Sequence, residues 1–191
     1  HDIEGCLVSH EHKDHCKAVE EIARAGINIY LSQGTKDALG IKGHRIKVVK
    51  PKEPFRIKTW MALSFEIQHD AQEPLGFLLA NKKGYKLLYA TDTYYLRYRF
   101  NGLTHIMLEA NYAEDILNQN VENGSLSSEL KKRTIKSHFS LENVKQFLRA
   151  NDLRQVEEIW LIHLSQGNSD PERFKREIQE LTGKPVFIAS Q

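Results

Sequence analysis

Apolar and polar positions alternate over residues 3–9 (IEGCLVS), which predicts a short strand. From 14 to 26 the spacing changes. Cys16, Val19, Ile22 and Ala23 recur at helical intervals before Gly26, so this stretch predicts one amphipathic helix. A strand follows at 27–31, then a short helix over 32–40 with Ser32 as its N-cap. Residues 42–90 read as a succession of strands, with NKKG at 81–84 as a hairpin turn. A strand is predicted at 104–110, helices at 112–121, 126–136 and 140–151 (Ser140 as N-cap), and a strand at 157–163. Asp170 and Pro171 mark the start of a further helix that runs to about Leu181, and 185–190 closes the pattern as a strand. Mixed helices and strands with no repeat, linker or low-complexity tract predict one α/β domain over 1–191, with helices covering sheet.

Composition narrows this only a little. With 40% hydrophobic residues the chain is expected to fold, and no apolar run is long enough to span a membrane. It opens on His1 and Asp2 without a signal-peptide pattern, which reads as a processed or shortened start. Cys6 and Cys16 do not suggest a disulfide framework, so a cytoplasmic setting is the expectation. The net charge of +2 is small, but eight Lys or Arg between Lys36 and Lys58 face only Asp37 and Glu53. Lys131, Lys132, Arg133 and Lys136 form a second basic run. Such runs are solvated faces or phosphate contacts.

The chemistry concentrates in SHEHKDH, residues 9–15. His10, His12 and Asp14 alternate on a strand-to-helix turn with His15 beside them, and strand ends are where α/β folds hold ligands. Protonated, these crowded groups would repel one another and gain nothing for the fold. A divalent metal resolves the conflict, because neutral imidazole and carboxylate are its ordinary ligands. His69, Asp92 and His163 each close an apolar strand and are the candidate further donors. His1, His44 and His105 read as surface or packing residues, His44 with phosphate contact as the alternative.

SHEHKDH resembles the H-x-H-x-D-H motif of the metallo-β-lactamase fold, and His69, Asp92 and His163 follow in that family's order. The resemblance covers the whole chain and implies an αββα sandwich lacking the first strands. It also implies two divalent ions, Zn²⁺ or Mn²⁺: His10, His12 and His69 on one, Asp14, His15 and His163 on the other, Asp92 bridging. Redox members carry Glu at the position of His12, so hydrolysis is implied. LEANY (108–112) and SHFSLENVKQFL (137–148) are similar to segments of ribonuclease Z relatives, with Glu109 and His138 at their acidic and histidine positions. QHDAQEPLGFLL (68–79) and HLSQGNSDPE (163–172) resemble the YycJ-like (WalJ-like) branch, which is associated with nuclease activity on DNA. Leu108 stands where ribonuclease Z has His, and no long tRNA-binding arm is evident, so pre-tRNA processing is not the expectation.

These features together predict a dinuclear phosphodiesterase acting on nucleic acid. A hydroxide shared by the metals would attack phosphorus with Asp14 orienting it, and His138, positioned by Glu109, would serve the leaving oxygen. The alternatives are a cyclic-nucleotide phosphodiesterase, a hydrolase of carboxyl esters, thioesters or β-lactams, and a binding module without catalysis. An open sheet edge left by the missing strands would favour a homodimer.

Overall fold

The computed structural model describes residues 3–189. The chain divides between Gly84 and Tyr85 into two compact units. His1, at the start, and Ser190, the last residue of the strand predicted at 185–190, lie outside the described residues.

The first unit holds β1 (Cys6–Leu7), α1 (Lys13–Cys16), α2 (Val19–Arg24), β2 (Ile29–Leu31), α3 (Gln33–Leu39), β3 (Ile46–Val48), β4 (Pro54–Ile57), β5 (Trp60–Glu66) and β6 (Leu75–Asn81). Strands β1, β2 and β3 are parallel in that order, Cys6 opposite Ile29 and Ile29 opposite Ile46. Buried Val8, Val19, Ile29 and Leu31 form the core beneath them, with Ile22, Ala23, Ile41 and Ile46 packed on it. Strands β4, β5 and β6 form an antiparallel meander, and the turn predicted at 81–84 is closed by Gly84 N donating to Asn81 O at 3.2 Å.

Two expectations change in this unit. The strand at 3–9 is paired only over Cys6–Leu7. Beyond it Val8 N still donates to Tyr30 O, but the Ser9 carbonyl accepts from Leu75 N, at the start of β6, at 2.9 Å. The chain therefore leaves β1 and is held elsewhere just before the histidines. The single helix at 14–26 is two helices. Ala18, between them, lies at φ −98 and ψ 3, in the sparsely populated bridge region. The break lets the first turn carry Asp14 and His15 in one register, while Val19 and Ile22 of the second face the strands. Helix α3 forms as the pattern predicts: Ser32 Oγ accepts from Thr35 N at 3.0 Å, and Gly40 ends the helix at φ 63, where a side chain would be strained.

The second unit is built on parallel strands β7 (Lys86–Ala90), β8 (His105–Glu109), β9 (Glu158–Ile162) and β10 (Val186–Ile188), adjacent in that order. Leu88, Ile106, Ile159 and Val186 lie side by side across all four and are fully buried. Helices α4 (Glu114–Glu122), α5 (Ser128–Ser137), α6 (Leu141–Ala150) and α7 (Pro171–Thr182) connect them. Ser127, Ser140 and Asp170 each accept from the backbone N–H three residues on, as their positions before helical runs require. The buried side of α6 carries Leu141, Val144, Phe147 and Leu148; α7 buries Phe174 and Ile178. Among the described residues no helix is long and apolar enough to cross a membrane.

Candidate metal centre and its carboxylate hub

In the first unit three imidazoles converge from two places in the sequence. His10 is fully buried on the turn after β1, and its Nδ1 lies 3.1 Å from Ser9 Oγ. His12 sits at the N-cap position of α1 without capping it, so its ring is available for other work. His69 follows β5 with its side chain only 2% exposed. The His10 ring stands 4.6 Å from that of His12 and 4.8 Å from that of His69. His69 Nε2 and His12 Nδ1 are 3.2 Å apart. Two nitrogens bound at about 2.0–2.1 Å to one tetrahedral ion stand roughly 3.3 Å apart, so this spacing fits a shared divalent cation. His15 stacks near His10 at 4.4 Å, with its Nε2 3.3 Å from the exposed carboxylate of Asp14.

Two carboxylates, Glu11 and Glu73, tie down the chain around this cluster. Glu11, between the first two histidines, turns away from them, and its Oε1 accepts from Gln72 N at 2.7 Å. The loop after His69 is also tied to α3: Gly34 N donates to Glu73 Oε2 at 2.7 Å, and Thr35 Oγ1 donates to Gln72 O at 3.4 Å. A β-carbon on Gly34 would lie 2.8 Å from that of Glu73 and 3.1 Å from the Gln72 carbonyl, so only glycine admits the approach.

In the second unit Asp92 follows β7, Glu109 ends β8, His138 follows α5 and His163 follows β9. All four meet. Glu109 is completely buried, and each carboxylate oxygen serves two donors. Its Oε2 accepts from the backbone N–H groups of Thr93 at 3.0 Å and Phe139 at 3.1 Å. Its Oε1 lies 2.7 Å from His138 Nδ1 and 2.8 Å from His163 Nδ1. Asp92 Oδ1 is 2.7 Å from His163 Nδ1 and 3.7 Å from His138 Nδ1. The carboxylate read from the sequence as the partner of His138 alone is thus the common partner of both histidines.

Electrostatics follow from this geometry. Burial lowers the pKa of His163, but hydrogen bonds to Asp92 and Glu109 outweigh it and push the value up to about 10. Burial also lowers that of His138, and the Glu109 carboxylate reverses the sign, so it ends above the ordinary histidine range. A divalent ion needs the neutral ring and competes with these protons. Backbone strain marks the same residues: Asp92 at φ 48 and His163 at φ 54 occupy the left-handed region, which non-glycine residues enter at a cost of about 1–3 kcal/mol. Asn111 Nδ2 donates to the His163 carbonyl at 2.9 Å and holds that turn.

Within each unit the sequence-chosen residues come together: His10, His12, His69 and His15 with Asp14 in one, Asp92, Glu109, His138 and His163 in the other. Ser9, Glu11, Thr93 and Asn111 escaped sequence reading. Each acts through the backbone or across a long separation, 61 residues for Glu11 and Gln72. His105 packs at 5.7 Å against Tyr85, and His44 is exposed in the basic segment.

Comparison with known proteins places these residues in a family. The exodeoxyribonuclease WalJ of Streptococcus pneumoniae is 29% identical to the chain, covering 88% of it and 66% of WalJ. The exodeoxyribonuclease YycJ of Bacillus anthracis is 26% identical over 97% of the chain and 73% of its own length. The chain thus spans about two thirds of the length of these curated relatives. Among solved structures, the metallo-β-lactamase fold protein YhfI from Bacillus subtilis superposes with a TM-score of 0.70 at 13% identity, over 96% of this chain and 73% of YhfI, which shows the shared fold. The family model of the β-lactamase superfamily domain matches residues 1–164, a span that takes in the histidines and carboxylates of both clusters, and the chain belongs to that family.

Proposed function

We propose that the protein is a dinuclear metal-dependent phosphodiesterase that cleaves nucleic acid, as a nuclease of DNA or RNA. The observation that carries this reading is the pair of donor clusters, one of three imidazoles and one of two carboxylates with two imidazoles. Both similar curated proteins are named exodeoxyribonucleases, which supports the same class and favours DNA. His10, His12 and His69 would hold one ion and Asp14, His15 and His163 the other, with Asp92 shared between them, all within one domain. The family match, running from residue 1 to 164 across both units, supports that single-domain reading. When bound, two divalent ions supply Lewis acidity toward a phosphoryl oxygen and lower the pKa of water. Zn²⁺ and Mn²⁺ both suit imidazole and carboxylate.

The chain's own groups supply the rest. Glu109 fixes the ring of His138 through Nδ1, and His138 would give a proton to the departing oxygen. The exposed carboxylate of Asp14, next to His15, orients the attacking water. Lys47 and Lys50 are exposed on the basic segment and suit a phosphate backbone. The free thiols of Cys6 and Cys16 support a cytoplasmic setting.

The test combines metal and substrate. After loading with Zn²⁺ or Mn²⁺, elemental analysis should find two ions per chain. Labelled single- and double-stranded DNA should be degraded, and cyclic nucleotides and β-lactams should not. A folded protein that takes up no metal ends the proposal, and cleavage confined to small diesters favours the cyclic-nucleotide alternative.

A further inference from the structure

Two residues beyond Asp92 the chain enters an irregular segment, Tyr94 to Phe100, reading YYLRYRF. Its chemistry is unused by the metal centre. Buried Leu96, 7% exposed, anchors it, while Tyr94 and Tyr95 are 41% and 57% exposed, and Arg97 and Arg99 are exposed as well. The segment is not loose. Thr93, whose N–H is held by Glu109, donates its hydroxyl to Tyr95 O at 2.9 Å. Asn143 Nδ2 donates to Tyr94 O at 3.2 Å, and Phe100 N donates to Asn151 Oδ1 at 2.7 Å, so both ends are fastened to α6 or its C-cap. Rings continue inward from it, Tyr98 to Phe100 at 6.3 Å and Phe100 to Phe147 at 6.3 Å. The Arg97 guanidinium lies 5.3 Å from the centroid of the Tyr98 ring.

Between this segment and α6 runs a groove of about 260 Å³, lined by Tyr95, Arg97, Tyr98 and Arg99 on one side and by Gln146 and Phe147 on the other, with no acidic residue in its lining. That volume suits one planar ring system more than a folded ligand. Exposed aromatic faces held on a fastened backbone, interleaved with cations, match the requirements of an unstacked polynucleotide: rings for bases, guanidinium groups for phosphates. A duplex presents stacked bases and offers the tyrosines nothing. A protein partner would want a larger apolar patch than two tyrosine rings.

We propose that Tyr94 to Arg99 is a stacking platform for a single-stranded polynucleotide, placed by its fastening to Thr93 and Glu109 so that the strand it holds continues toward Asp92. The proposal rests on the nuclease reading for its biological sense, but not for its test. Binding of a fluorescent phosphorothioate-linked oligomer to the intact protein, followed by anisotropy, needs no turnover. Degradation of an ordinary phosphodiester-linked strand by the metal-loaded parent protein tests the nuclease reading separately. Tyr95→Ala should raise the Kd for a single strand about 5- to 100-fold, the range found when one stacked base loses its ring, and Tyr95→Phe should restore it. Arg97→Ala with Arg99→Ala should reduce the salt dependence by about one phosphate contact each. Deoxyribose and ribose oligomers run side by side identify which strand is the ligand by the tighter Kd. Tyr95 lies at the surface, so its loss should leave the melting temperature unchanged. Parent and Tyr95→Ala proteins that bind both strands within twofold of each other, or a duplex that binds as tightly as its separated strand, overturn the proposal.

Discussion

Glu109 decides more at the residue scale than any of the candidate ligands. A fully buried carboxylate is tolerated because four donors surround its two oxygens. Glu109→Gln keeps the shape but turns an acceptor into a donor that must face either backbone N–H groups or a histidine N–H. It should destabilise the fold by about 2–4 kcal/mol in denaturant titration, the range for breaking a buried charged network. His138 offers a different test. With a phosphodiester of poor leaving group, His138→Ala should cut kcat by about 10²–10⁴, the usual range for losing a general acid. With a p-nitrophenolate leaving group the loss should be far smaller, and bound metal should stay the same. Equal losses on both substrates would remove the acid role. Asp92→Asn should keep the fold, since asparagine tolerates φ 48, and should lose most bound metal by elemental analysis. The gathering of these residues was legible in the sequence, because imidazoles and carboxylates crowded onto one turn have no bland explanation. Their strained φ values were not, since nothing in the residue names Asp92 and His163 distinguishes the left-handed region from an ordinary turn.

Among the elements, caps and strands were easy to read and interruptions were not. Ser32, Ser140 and Asp170 announce helix starts through chemistry that is local to three residues. The break at Ala18 has no such signal: Ala is the best helix former, and the interruption is imposed by where the His15 ring and the Val19 side chain must each point. Helices α4, α6 and α7 are joined by charge. Arg173 donates to Asp115 and to Glu177, both at 2.7 Å, and Lys145 pairs with Glu177. The Arg173 guanidinium holds the Asp115 carboxyl below its usual range; Lys145, and then Arg173, hold that of Glu177 below it. A depressed carboxyl pKa stabilises the fold above the unfolded value and ceases to do so as pH falls through the folded one. Arg173→Met should therefore lower stability by about 0.5–1 kcal/mol at neutral pH. The difference from the parent should close once both carboxyls are protonated in strong acid, which thermal melts across pH 2–7 would show. A gap independent of pH would mean that the arginine acts through packing.

For the whole molecule, family membership rests on a span of 164 residues, while the chemistry rests on a handful. The basic stretch is the feature that composition hides, since the net charge of +2 averages it away. Charge reversal at Lys47 and Lys50 should raise KM for oligonucleotides and flatten its dependence on salt, read from KM between 50 and 200 mM salt. Unchanged slopes would make the stretch a solvated face. The latch among Glu11, Gln72, Glu73 and Gly34 has a consequence of another kind. Surface loops ordinarily exchange their amide hydrogens in seconds, but the Gln72 and Gly34 amides are each held by a carboxylate at 2.7 Å. They exchange when those contacts open, Glu11 releasing Gln72 and Glu73 releasing Gly34. Their protection should therefore rise and fall with occupancy of the imidazole cluster, so two backbone amides, one on the loop after His69 and one in α3, would report, by mass spectrometry, on whether a divalent ion is bound.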